Sequence, residues 1–375
     1  MTISKTFCPA KWDEILVNLS ANYVYSCCKS IPIKITKKED IEKALNDQRN
    51  NLLNGIQDPA CNYCWQVENT GHSSLRKQYL TDFDYKKINQ YINNKTKLKK
   101  IEVSLGNECN FQCTYCNPKF SSQWEVDVKN KSYKIYSDRY FYDIDKKNVN
   151  NLSDTIQWLT SYDSIDSLWI IGGEPLQNKN FIKIINHIKS NHLGFSTNLS
   201  CKTTKPIDNI LNLAIKYETI KINVSIDSTE KNAEFSRYGM DYEKLLENIE
   251  YLLKNAPTNV AIAFNSLMTS ITIRDIDNMV DLIEGYYKNN SKIKWNINFC
   301  RDPLIFTFNT LPDQYKPAIL KKIVELENKS YIFGVDMLKG AILNSKFNNT
   351  LYNQMKHFLK EFSDRKNIKI PIELK

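Results

Sequence analysis

From about residue 98 the chain alternates short β-rich runs with longer stretches of helical spacing. The β-rich runs are 99–106 (KKIEVSLG), 166–173 (DSLWIIGG), 193–198 (LGFSTN), 220–227 (IKINVSID), 260–268 (VAIAFNSLM) and 293–300 (IKWNINFC). Between them, 178–190, 207–217, 241–254 and 274–288 set apolar residues three and four apart, as in Phe181, Ile184, Ile185 and Ile188. That spacing predicts helices with one buried face. The alternation predicts an α/β fold with a parallel sheet, and six units predict an open or partial barrel whose ligands sit at the carboxyl ends of the strands. Residues 306–375 read as a helical extension, with ILKKIVELENK and LYNQMKHFLKEF amphipathic, and residues 1–95 fall outside the pattern. The expected division is 1–95, 96–305 and 306–375.

Composition narrows the class. Apolar residues at 42% indicate a globular chain. No uninterrupted apolar run approaches the length of a membrane span, and MTISKTFCPAKWDEIL carries no basic segment followed by an apolar core, so a cytoplasmic protein without a membrane partner is expected. The net charge of +9 comes from lysines interleaved with Asp, Glu and Asn. This describes a solvated basic surface rather than a nucleic-acid-binding face.

The ten cysteines change the picture more. Five lie at Cys8, Cys27, Cys28, Cys61 and Cys64, three at Cys109, Cys113 and Cys116, and Cys201 and Cys300 stand alone. Disulfides are rare in a reducing compartment, so clustered thiols point to metal. The segment NECNFQCTYCNP (107–118) places three cysteines as C-x3-C-x2-C directly after the first strand of the alternation, among loop-forming residues. Structural zinc takes four ligands. Three thiolates on one loop suit a cubane [4Fe–4S] cluster with one iron left open.

With Tyr115 before the last cysteine, this loop resembles that of the radical S-adenosylmethionine (SAM) enzymes, C-x3-C-x-aromatic-C, and the resemblance spans roughly 98–300. It implies that Cys109, Cys113 and Cys116 hold a catalytic [4Fe–4S] cluster whose open iron chelates SAM. One strand later GGEP (Gly172, Gly173, Glu174, Pro175) matches the family's segment for the methionine amino group; glycines allow close backbone approach, and Glu174 offers an anionic acceptor. Ser225 and Asp227 in SID resemble the ribose and carboxylate contact, with a helix cap as the plain alternative. Arg237 falls where relatives place an arginine on the methionine carboxylate, with a surface ion pair as its alternative. Ser196 and Asn198 of STN are candidates for the same cofactor. The implied chemistry is reductive cleavage of SAM to methionine and a 5′-deoxyadenosyl radical that abstracts a substrate hydrogen atom, fed by a low-potential donor of the flavodoxin or ferredoxin kind.

The N-terminal cysteines sit in CPAKW, YSCCKS and ACNYCWQVENTGHSSLR. The C-x2-C-W, Glu68-x2-Gly71, Ser74-x-Arg76 series and the cysteine doublet resemble the twitch-type auxiliary-cluster module of some radical enzymes, which in the best-known members follows the barrel rather than preceding it. The resemblance implies a second, auxiliary [4Fe–4S] cluster on Cys8, one or both of Cys27 and Cys28, Cys61 and Cys64. Zinc on four thiolates is the competing reading. Four thiolates would close every iron and make the cluster an electron carrier. Cys201 and Cys300 read as small buried hydrophobes, although Cys300, ending the sixth strand, is also placed to donate a hydrogen atom. None of His72, His187, His192 and His357 is assigned as a ligand. The resemblance favours oxidative modification of a peptide side chain, despite the lack of an obvious leader-binding domain. The alternative is a small molecule such as an aminocyclitol, sugar or nucleoside, and the different-class reading is a non-catalytic iron–sulfur carrier or zinc-dependent nucleic-acid binder.

Overall fold

The structure is a computed structural model that describes residues 3–35, 37–71, 73–93, 95–133, 152–162 and 165–371; His72 lies outside them. Strands follow in chain order: β1 (Glu14–Asn18), β2 (Tyr23–Tyr25), β3 (Ile33–Lys34), β4 (Lys100–Ser104), β5 (Gln112–Cys113), β6 (Ile165–Ile171), β7 (Ser190–Thr197), β8 (Thr219–Ser225), β9 (Arg237–Tyr238), β10 (Val260–Met268), β11 (Lys294–Phe299) and β12 (Ile332–Phe333). The six β-rich runs of the sequence correspond to β4, β6, β7, β8, β10 and β11. The chain divides into two compact units, one of Met1–Gly106 with Asp145–Gly172 and Lys179–Gly194, the other of Asn107–Ile144, Gly173–Asn178 and Phe195–Lys375.

The first unit has strand order β6-β4-β1-β2-β3. β4 pairs in parallel with both β6 and β1, and β1 turns back antiparallel onto β2, so the sheet is mixed. The strand β1 places residues 1–95 in the same sheet as β4. In β4 alternate residues Ile101 and Val103 are buried, as period two requires. The helix Asn180–His187 buries Phe181, Ile184 and Ile185.

The second unit holds the parallel order β12-β11-β10-β8. Its helices bury the stripes their spacing predicts: Leu245, Ile249 and Leu252 in Tyr242–Asn255, and Ile276, Met279, Val280 and Ile283 in Ile276–Asn289. Asn248 interrupts the first stripe. Its amide donates to Leu199 O and Cys201 O, both at 2.9 Å, which satisfies a polar group that burial would otherwise penalise. The last helix, Asn349–Lys366, buries Met355, Phe358, Leu359 and Phe362, each worth about 1.5–3 kcal/mol of apolar burial. Phe358 and Phe362 pack on Trp124 of the helix Ser122–Asn130, in an aromatic cluster against which Tyr115 and Cys116 also lie. Arg365 secures this helix by donating to Lys131 O and Ser132 O at 2.7 and 2.6 Å.

Candidate active site

The three-cysteine loop is held by backbone groups from each side, all within the second unit. Cys116 N donates to Cys113 O at 2.9 Å, closing the C-x2-C turn. Ser121 caps the helix Ser122–Asn130 and donates to Phe111 O at 2.6 Å, Ser122 Oγ donates to Cys109 O at 3.1 Å, and Trp124 Nε1 donates to Cys113 O at 2.8 Å. The buried Trp124 of this helix and its polar cap therefore set the loop's shape.

Burial pushes all three thiols up, Cys109 to about 12, and each feels its neighbours: the charge of Cys113 raises Cys109 and Cys116 further. Three adjacent thiols that resist ionisation together are stable as thiolates when a cationic centre offsets their charge. The donor set therefore fits an iron–sulfur cluster. Among the described residues no three His, Cys, Asp or Glu are arranged to hold a single metal ion.

The GGEP turn meets this loop through the backbone. Glu174 N donates to Glu108 O at 2.7 Å. Gly173 has φ +53°, and a Cβ there would stand 2.2 Å from Glu108 O. In the first unit, Gly172 has φ +94° and a Cβ would stand 2.6 Å from Ser104 Oγ. Both glycines are required by conformation and by close approach. Pro175 opens a short 3-10 turn whose Leu176 N donates to Glu174 Oε1 at 3.1 Å. The Glu174 carboxylate also accepts from Thr197 Oγ1 at 2.6 Å and from Asn198 N at 2.5 Å. Burial pushes its pKa up against these bonds. Glu174 thus spends most of its acceptor capacity joining the turn to the end of β7, rather than standing open as the sequence suggested.

The STN segment divides by strand alternation. Thr197 is buried with Phe195 and reaches Glu174, whereas Ser196 is half-buried. The side chain of Asn198 turns to the cysteine loop and donates to Asn110 Oδ1 at 2.9 Å. The period-two rule, applied to Phe195, points to Thr197, which sequence reasoning passed over.

Asp227 and Arg237 are brought together. Asp227 Oδ2 accepts from Arg237 NH1 at 2.9 Å and from the Tyr115 hydroxyl, and Oδ1 accepts from Leu267 N at 2.8 Å. Arg237 NH1 also donates to Tyr115 OH at 2.9 Å. Ser225 ends β8, half-buried. Arg237 is a buried ion pair, not a surface one, and its buried Nε has no hydrogen-bond partner. An orphan guanidinium N–H costs free energy unless a ligand takes it, which suits an anionic group such as a carboxylate. A two-residue antiparallel ladder, β5 with β9, pairs Cys113 with Arg237 and Gln112 with Tyr238. No local pattern in the sequence announces this contact.

Cys201 and Cys300 are buried and pushed up by burial, to about 11 and about 12. The Cys300 thiol donates to Asp302 O at 3.4 Å within the aromatic cluster, as a small hydrophobe with a local bond would.

The second thiol set lies in the first unit. Cys8, Cys27 and Cys61 share an apolar cluster with Ala10, Leu52 and Trp65. Cys64 is buried one turn beyond Cys61, and Cys28 is exposed. Ser30 Oγ accepts from Ser26 N and Cys27 N and donates to Cys27 O, a tight turn that leaves the doublet with one thiol buried and one out. Burial pushes Cys8 to about 12, and Cys27 and Cys61 each add to it. The Glu68, Ser74, Arg76 series is an anchoring network: Arg76 donates to both Glu68 oxygens at 2.9 and 2.5 Å, and to Lys5 O and Phe7 O at 3.1 Å. It ties the segment before Cys8 to the helix that carries Cys64.

Burial pushes the Glu68 carboxyl up, but the bonds from Arg76 and Ser74 outweigh it and hold the pKa below the ordinary 4.5. A lowered acid pKa contributes stability that is complete above 4.5 and is lost as pH falls through the folded value. Glu68→Gln is therefore expected to destabilise the protein at about pH 7, with the difference from the parent shrinking by about pH 3.5. Urea denaturation of both proteins at the two pH values checks this.

Residues 103–283, just under half of the chain, match the sequence profile of the Radical SAM superfamily, so the chain carries a radical SAM domain. It is 25% identical over 268 residues to the radical SAM cyclopropyl synthase TigE of Paramaledivibacter caminithermalis, covering 68% of this chain and 50% of that protein. It is 23% identical over 203 residues to a GTP 3′,8-cyclase of Staphylococcus epidermidis, covering 52% of each. The chain thus spans about half the length of these curated relatives. Native anSMEcpe with bound AdoMet is a structural neighbour at TM-score 0.42 and 17% identity, covering 67% of this chain and 68% of that one. No helix among the described residues is long and apolar enough to cross a membrane.

Proposed function

We propose that the chain binds a [4Fe–4S] cluster through Cys109, Cys113 and Cys116, binds SAM beside it, and uses the pair to remove a hydrogen atom from a substrate. The observation that carries this is the convergence on one loop of three coupled thiols, the GGEP turn and Arg237. When bound, the cluster and SAM supply the radical chemistry, and the protein supplies binding, orientation and exclusion of water. The GGEP turn would meet the methionine amino group, with Glu174 and Asn198 fixing its shape. The unpaired N–H of Arg237 would serve the methionine carboxylate, and Asp227 and Tyr115 hold that guanidinium in place. Ser225 and Ser196 are polar neighbours for the ribose. The aromatic wall from Trp124 to Phe362 keeps water from the Cys116 side.

The reading extends to a second [4Fe–4S] cluster on Cys8, Cys27, Cys61 and Cys64, with Cys28 outside it, in a twitch-like module of residues 1–95 preceding a partial barrel. Four thiolates on these residues would close every iron of such a cluster, which would then supply an acceptor for an electron lost by a substrate radical, in a cytoplasmic enzyme reduced by a flavodoxin- or ferredoxin-like donor. The substrate favoured is a peptide side chain, on the resemblance to peptide-modifying radical enzymes with cysteine-rich modules. The similarity to GTP 3′,8-cyclases favours a second reading, a nucleoside or related small molecule.

Anaerobic reconstitution with iron and sulfide, followed by dithionite and SAM, is expected to release 5′-deoxyadenosine; release no greater than in a protein-free control sinks the proposal. In the same preparations Cys27→Ala is expected to lose about four iron atoms per chain and Cys28→Ala none. Equal iron in both variants would overturn the four-thiol assignment.

A further inference from the structure

Lys11 is 1% exposed, among the most buried side chains in the protein. Its ammonium donates to Ser26 Oγ at 2.5 Å and Gln48 Oε1 at 3.5 Å, and stands 4.0 Å from Cys27 Sγ. None of these partners is a carboxylate. A lysine is almost never buried this fully unless an anion compensates it. The groups near it that can carry negative charge are thiols: Cys27 stands 4.0 Å from the ammonium and shares one cluster with Cys8 and Cys61. Asp58 also faces Cys61, but its carboxylate is taken by Asn51 Nδ2 and Ala60 N, both at 2.8 Å.

The ammonium is held in a frame from three segments. Ser26 Oγ donates to Gln48 Oε1 at 2.6 Å while accepting from Lys11, and Arg49 Nε donates to Lys11 O at 2.9 Å. Gln48 and Arg49 come from the helix Lys38–Leu53, Lys11 from the turn after Cys8, and Ser26 directly precedes Cys27. A positive charge is thereby fixed beside the thiol set, 4.0 Å from Cys27 Sγ, where the dielectric is low and its field is strong.

We infer that Lys11 is a tuning residue, whose ammonium offsets the negative charge of Cys8, Cys27 and Cys61 as thiolates and raises the reduction potential of the cluster they would hold. This rests on the reading of that thiol set given above and deepens it. Reduction adds one electron, and hence one negative charge, to a centre already ringed by thiolates. A fixed cation stabilises the reduced form more than the oxidised one, so the couple shifts upward. That shift makes the site an acceptor for an electron leaving a substrate radical. Metal held only to brace the fold would gain nothing from it.

The test uses the full chain with Cys109, Cys113 and Cys116 all changed to alanine, so that any remaining cluster belongs to the N-terminal thiols. After anaerobic reconstitution, iron content and a dithionite titration followed by electron paramagnetic resonance are measured. The expected result is about four iron atoms per chain. Lys11→Met should keep that iron and make reduction about tenfold less favourable, a fall of 59 mV for one electron. Gln48→Glu, which sets a carboxylate beside the ammonium at almost unchanged volume, should shift the potential the same way, and it decides the matter if Lys11→Met does not fold. A parent without iron, or with zinc in its place, overturns the cluster reading itself. A parent with a full cluster whose variants reduce at the parent's potential overturns the role of Lys11 alone.

Discussion

Cys113→Ala is expected to bring release of 5′-deoxyadenosine from SAM down by about a thousand-fold, to background, because the chemistry belongs to a group the variant no longer holds. Iron should fall by about four atoms per chain, leaving the N-terminal complement intact. The fold should survive. Cys113 is buried, and a free cysteine packs as a small hydrophobe, so its replacement deletes one sulfur from a site braced by the Trp124 Nε1 bond to the Cys113 carbonyl. Cys201→Ala is the control, since Cys201 is also buried but is not one of the three cysteines of the loop, and it should retain both iron and cleavage. Iron analysis and chromatographic quantitation of 5′-deoxyadenosine check the pair. Cleavage near the parent rate in Cys113→Ala would dismantle the assignment.

Gly173→Ala should be severely damaging although it removes no functional group. Its φ of +53° disfavours a side chain, at a cost of about 1–2 kcal/mol. The new Cβ would also stand 2.2 Å from the Glu108 carbonyl oxygen and 2.9 Å from its carbon. Backbone cannot rotate aside as a flexible side chain can, so overpacking adds about 1–3 kcal/mol. The expected total is about 3 kcal/mol. Relief would come through displacement of Glu108, which breaks its bond to Glu174 N and pulls the cysteine loop away from the turn. The SAM concentration for half-maximal cleavage should therefore rise by about tenfold or more in whatever protein folds. Gly285→Ala provides the contrast, because nothing lies within 4 Å of its Cβ position in the helix Ile276–Asn289, and it should stabilise by up to about 1 kcal/mol. Chemical denaturation and SAM titration of both variants measure the difference.

The elements that carry the α/β pattern were legible because their cause is local. Period-two burial in β4 and three-four spacing in Tyr242–Asn255 are written in consecutive residues. The N-terminal strands were missed: β1 is five residues long, β2 and β3 shorter still, and their pairing is fixed by distant partners such as Lys100–Ser104. The candidate site divides the same way. Cysteine spacing and the two glycines are local signals, whereas the Cys113–Arg237 pairing, the reach of Thr197 to Glu174 and the burial of Lys11 arise only when remote segments meet. Motif matching also assigned open acceptor chemistry to Glu174, whose oxygens are largely occupied by its neighbours.

The short ladder between β5 and β9 joins the residue of one loop thiol to the residue whose guanidinium is proposed to meet the SAM carboxylate. Neither can be reordered without the other, so filling one subsite prepays part of the ordering entropy of its companion. By reciprocity the favour is returned in equal measure. On the proposed roles of Cys113 and Arg237, metal loading and SAM capture would in this sense be one cooperative equilibrium.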